Sequence, residues 1–171
     1  IDAIGEPGVL FYVTYANAAL ITLLTVASMA ALYRYCHAGA PFWATTGFAL
    51  VPIYGIGNLV AYLSQIFVVT HLLELYRAPE TMVIARTLLR LTIQEWQPSA
   101  IAALNGLSYA VLGIPSIVFG VTLAQGTHTL RLGGWLLALS GVLSFLAFFG
   151  LAIESSALAA ATLVSGLVYL V

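Results

Sequence analysis

Four stretches of this chain, residues 9–33, 43–69, 99–124 and 132–153, contain no charged side chain. A helix needs about 20 consecutive apolar residues to cross the hydrocarbon core of a bilayer, and each stretch reaches that length. The alternating pattern of an outer-membrane strand is absent, so the stretches read as helices, whose backbone bonds close within the segment. Apolar side chains make up 62% of the chain and charged ones 6%, against about 25% charged in a soluble domain. The mean hydropathy is +1.06. The expected class is all-α: a polytopic transmembrane helical bundle forming one membrane domain.

Taken in order, residues 1–8 hold Asp2, Glu6, a proline and two glycines, which break a helix and favour water or the interface. The first span is expected over 9–33. Its Thr14, Asn17, Thr25 and Ser28 fall within an arc of about 80° on a helical wheel, so that face is expected to point at protein rather than lipid. Arg34 to His37 and the run to Pro41 end it, and Pro41 with Trp43 marks the next start. The second span is expected over 43–75, with a kink or close backbone contact near Pro52, Gly55 and Gly57. Tyr54, Asn58, Tyr62 and Gln65 share a second arc of about 80°.

Charge concentrates between residues 76 and 98. Pro79 breaks the chain there and Thr81 is placed to cap the next helix. The segment 81–96 sets Arg86, Thr87, Arg90 and Gln94 on one face and is otherwise mostly Met, Ile, Leu and Trp. It is too short to span and fits an amphipathic helix lying in the interface. An extramembrane helix covering the end of the bundle is the alternative.

The third span is expected over 99–124, introduced by Pro98 and Ser99, with Asn105 and Tyr109 on one face. A turn at 125–129 leads to a fourth span at 132–153, antiparallel to the third. Gly106, Gly113 and Gly120 recur at two-turn spacing on the third span, and Gly134 and Gly141 do so on the fourth. Each set lies on one helix face and lets a neighbouring backbone come close. A fifth span is expected over 157–171, where Ala157, Ala161 and Ser165 make a small-xxx-small face. The chain opens on Ile1 rather than methionine and stops inside an apolar run, as a processed chain or a portion of a longer one would.

Five spans set the connections holding Arg34, His37, His128 and Arg131 on one side, and Arg77, Arg86 and Arg90 with the acids on the other. A plain arginine count favours the second side as cytoplasmic. Counting only short loops near span ends favours the first, which is the orientation expected here.

The most distinctive constellation is Arg34-x-x-His37 opposite His128-x-x-Arg131. Two histidines from different helix ends are the pattern that ligates a haem, a chlorophyll-type pigment or a metal, with arginines on propionates or phosphates. Two positive-inside loops explain the same residues. His71 and Glu74, three apart on a helix, form an acid/base or metal pair in one reading and a charged exit from the membrane in the other. A third histidine ligand would come from His71. Tyr54, Asn58, Tyr62, Gln65, Asn17 and Asn105 could line a pocket for a small polar molecule or lipid headgroup, or bond between helices. Arg34, Arg131, Arg86 and Arg90 are the candidates for an anion or headgroup.

Other chemistries are excluded more firmly. The chain has no lysine, so no retinal or pyridoxal Schiff base can form. Its single Cys36 cannot make an internal disulfide or a CxxC pair. A net charge of −1 gives no footprint for nucleic acid. No ionisable residue sits mid-span, against a proton pump or ion-coupled transporter. GxSxG and HExxH motifs are absent, and no catalytic residue or metal set is nominated.

The run LNGLSYAVLGIPSIVFG, followed by RLGGWLLALSGVLSFL, and the earlier ALYRYCHAGAPFWATTGFAL resemble bacterial membrane proteins grouped under domains of unknown function. The resemblance extends over about two thirds of the chain and rests on packing glycines and turn residues. It implies a five- or six-span bundle, often with a further N-terminal span, and supplies no activity or functional residue. The expected function is a non-catalytic integral membrane subunit or binding protein, seated in the lipid bilayer of a bacterial inner membrane and packing against a membrane partner or its own copy. A haem- or pigment-binding accessory subunit, and a transporter or binding protein for a small molecule or lipid, are the alternatives.

Overall fold

Helices follow the apolar runs closely. The computed structural model describes residues 7–96 and 98–152; the expected fifth span, with Asp2, Glu6 and Glu154, lies outside them. Six α-helices occur in order: α1 Val9–His37, α2 Pro41–Ser64, α3 Thr70–Tyr76, α4 Met82–Thr92, α5 Ala100–Leu123 and α6 His128–Ala152. A π-helical turn, Gln65–Val69, joins α2 to α3. No strand occurs among the described residues. Four helical segments there are long and apolar enough to cross a membrane: Val9–His37, Pro41–Tyr76, Ala100–Leu123 and His128–Gly150.

Several boundaries differ from expectation for local reasons. α1 keeps Arg34 to His37 helical, where cations favour the negative end of the helix dipole. It stops where the Gly39 and Ala40 amides both turn back to the Cys36 carbonyl, at 3.1 and 3.0 Å. α2 starts at Pro41, two residues before Trp43, since an N1 proline loses no helical hydrogen bond. Helix continues through Pro52, Gly55 and Gly57, and regular α geometry gives way instead at Gln65. The turn before α6 is shorter than expected, so His128 is the first residue of that helix.

The buried face of α1 also differs from the polar arc. Tyr15, Ala19, Thr22, Met29 and Cys36 are buried, whereas Thr14, Asn17 and Ser28 are exposed. The buried residues, with half-buried Val26 and Tyr33, follow alternating four- and three-residue steps, which is a coiled-coil-like seam. Ser28 needs no neighbour, because its hydroxyl donates to the Leu24 carbonyl at 2.9 Å.

The chain divides into two compact units. The first takes residues 7–23 and 56–105. In it α3 and α4 form a hairpin closed by Val69, Leu72, Leu73, Leu89 and Ile93, while Tyr15, Ala19 and Tyr62 make a second cluster. Thr81 occupies the N-cap position of α4 without capping it. Its hydroxyl donates to the Leu75 carbonyl at 2.5 Å, tying the turn to the end of α3. α4 ends at Thr92, short of the expected 96, because Ile93 turns extended. Ser99 caps α5 by accepting the Ala102 amide at 3.0 Å.

The second unit takes residues 24–55 and 106–152. Its core gathers Met29, Cys36, Val51, Tyr54, Leu112 and Phe119, and the Cys36 thiol donates to the Phe119 carbonyl at 3.9 Å. The glycines of α5 and α6 meet face to face. A Cβ on Gly113 would lie 2.5 Å from the Gly141 carbonyl oxygen, and one on Gly120 would lie 2.5 Å from that of Gly134. Seven residues forward on α5 correspond to seven back on α6, so the helices run antiparallel with backbones in direct contact.

Candidate functional site

The buried side-chain amides among the described residues, Asn58 and Gln65, lie in the first unit, toward the end of α2. Gln65 is fully buried at the start of the π-helical turn. Its Nε2 donates to the Thr92 carbonyl at 2.8 Å and its Oε1 accepts the Gln94 amide at 3.1 Å. The side chain thus pairs with the backbone leaving α4 as a neighbouring backbone would, and this pairing accompanies the stop of α4 at Thr92. Nε2 also reaches the Ala61 carbonyl at 3.3 Å, which accepts the Ser64 hydroxyl at 2.8 Å as well. A π-helical turn shifts the helical bonding register, and side chains supply donors around it; Thr70 does the same for the Ile66 carbonyl at 2.6 Å.

A second cross-link closes the same loop. The Tyr15 hydroxyl of α1 donates to Glu95 Oε1, holding the only acid of that loop against a buried tyrosine. Its signal in the sequence was weak, since the two residues are 80 apart. With Gln65 it fixes residues 92–96 from two helices, so what looked like the last turn of an amphipathic helix is a clamped connection.

Asn58 is different. It is fully buried two turns before Gln65 on the same face of α2, and neither Oδ1 nor Nδ2 has a hydrogen-bond partner among the described residues. Gln94 Oε1 and Asn105 Oδ1 are also buried without partners. An orphaned buried polar group costs about 1–3 kcal/mol. Asn58→Leu, close in volume and free of polar atoms, is therefore expected to raise the thermal midpoint of the detergent-solubilised protein. A fall of the midpoint instead would mean that the amide is satisfied in the folded protein.

The remaining sequence candidates divide between the units. In the second unit, Tyr54 packs edge-on to Tyr109 with ring centroids 5.8 Å apart. Arg34 and His37 end α1, and His128 and Arg131 begin α6; all four are exposed. The His37 ring lies 5.1 Å from that of Tyr33. In the first unit, His71 Nδ1 lies 3.6 Å from Glu74 Oε2, both largely exposed, and Tyr62 is buried against Tyr15 and Ala19. Arg86 and Arg90 are exposed on α4, with Arg90 over the Trp96 ring at 5.6 Å. Asn17 is exposed on α1. Among the described residues no three His, Cys, Asp or Glu side chains group to hold a metal.

The fold and site define an all-α protein with membrane-crossing helix lengths and a clamped helical hairpin. Compared with protein-family models, curated proteins and solved structures, the chain has no match in any of the three.

Proposed function

We propose that the chain is a five-span integral membrane protein, with α4 in the interface, that serves without catalysis as a subunit docking on a membrane partner or on its own copy. A bacterial inner membrane is the location proposed with it, as the resemblance of its packing glycines and turn residues implies. The observation that carries the docking reading is the outer face of α1. Asn17 lies about 12 Å along the helix from Val9, at 1.5 Å per residue, and is exposed there between apolar residues such as Val13, Leu20 and Ile21. Lipid offers an amide no hydrogen bond, so polar groups at such depth face protein. A helix of a second subunit bonding Asn17, with Thr14 one turn away, removes that cost.

Such interhelical bonds contribute about 0.6–2 kcal/mol in a bilayer, or a 3- to 30-fold change in dissociation constant. Light scattering of the protein purified in mild detergent is expected to give a mass above that of the 18.1 kDa chain. Asn17→Leu is expected to shift it toward the monomer within that range. Identical dissociation of wild type and variant would count against the docking reading. The haem- or pigment-binding alternative draws less support, because His37, His71 and His128 are all exposed. The small-molecule alternative rests on the buried amide atoms of Asn58, Gln94 and Asn105 that lack partners among the described residues.

A further inference from the structure

We infer that the Arg86/Arg90 face of α4 binds the phosphate of an anionic lipid headgroup. This rests on the reading that α4 lies in the interface. The helix has 11 residues, about 16 Å at 1.5 Å per residue and too short to span. Its inward seam, Ala85, Leu89 and Ile93, is buried. On the wheel Arg86 and Arg90 come next, then exposed Val83 and Thr87, and beyond them Leu91, Ile84 and Leu88 make an exposed apolar face. A helix with one seam on protein, one apolar face bare and arginines between them matches the lipid boundary, where the apolar face enters the acyl region and the cations stay at headgroup level.

The arginines are available for an anion. α4 carries no acid, and neither guanidinium makes an ion pair among the described residues, Arg90 having only the Trp96 ring beside it. Of the described acids in the same unit, Glu95 accepts the Tyr15 hydroxyl and Glu74 faces His71, leaving Glu80 in the turn before α4. Two guanidiniums one turn apart present forked donors suited to a phosphodiester.

The test labels position 84 of the full chain through Ile84→Cys with an environment-sensitive fluorophore; buried Cys36 is the only native thiol. The protein is reconstituted in phosphatidylcholine vesicles containing spin-labelled phosphatidylcholine or spin-labelled phosphatidylglycerol. Stronger quenching by the spin-labelled phosphatidylglycerol is expected. Each basic side chain near an anionic surface contributes about fivefold, so Arg86→Gln with Arg90→Gln is expected to erase the preference while quenching by phosphatidylcholine persists. Equal quenching by both lipids in wild type would overturn the headgroup site and leave the interfacial reading standing. No quenching by either would overturn both.

Discussion

Gly134→Ala is expected to lower the thermal midpoint by roughly 2–12 °C, whereas Gly133→Ala, one residue away, is expected to leave it unchanged or raise it slightly. A Cβ at Gly134 would sit 2.5 Å from both the Gly120 carbonyl oxygen and the Ala124 amide nitrogen. Both are backbone atoms of the neighbouring helix end, so relief requires α5 and α6 to separate. Overpacking of this kind costs about 1–3 kcal/mol, and about 2–4 °C of midpoint accompanies each kcal/mol in chains of this size. At Gly133 nothing lies within 4 Å of the added carbon, and alanine gains up to about 1 kcal/mol of helix propensity. Gly47→Ala is an internal reference: its Cβ would meet Pro115 and Val118 at ordinary contact distances of 3.4–3.5 Å. Thermal unfolding of the three variants in one detergent checks the order. Equal midpoints for the two neighbouring glycine variants would mean that the α5/α6 backbones do not touch.

That seam was legible because close backbone approach admits almost no residue but glycine, and the seven-residue spacing put Gly113, Gly120, Gly134 and Gly141 on facing sides without further information. The face of α1 was not legible by the same method. Thr14, Asn17 and Ser28 form a tidy polar arc, but in a membrane polarity does not equal interior. A serine can return its proton to its own helix, as Ser28 does to Leu24, and an asparagine can wait for another chain. The true seam, from Tyr15 through Thr22 and Met29 to Cys36, mixes aromatic, polar, aliphatic and thiol side chains, and only their spacing unites them. Within the polar site, the arc on α2 picked out Asn58 and Gln65 correctly as one face. What each does there depends on partners distant in sequence: Thr92 and Gln94 for Gln65, whereas Asn58 has none among the described residues. The π-helical turn has no compositional mark in QIFVV, so the sequence pointed instead to Pro52, Gly55 and Gly57, where α2 continues and a Cβ on Gly55 would lie 3.0 Å from Val26 Cγ2.

Gln65→Leu is expected to be the most disruptive single change in the first unit. Leucine fills a similar volume but strands the Thr92 carbonyl and the Gln94 amide, which Gln65 now satisfies at 2.8 and 3.1 Å. Two such groups left unpaired cost about 2–6 kcal/mol together, taking about 1–3 for each. The loss is local in origin: the seam of Leu72, Leu73 and Leu89 still holds the hairpin, but the exit of α4 loses its clamp. Hydrogen exchange should therefore accelerate most at the Gln94 amide and the last turn of α4, with the α5/α6 seam unaffected. Gln65→Glu sharpens the argument, because a protonated glutamic acid can donate to Thr92 and accept from Gln94 as the amide does, whereas a carboxylate can only accept. Partial protection of residues 92–94 in Gln65→Glu, which keeps an acceptor for the Gln94 amide in either form, and its loss in Gln65→Leu are the expected results. Equal protection of Gln94 in all three proteins would show that the clamp does not hold the end of α4.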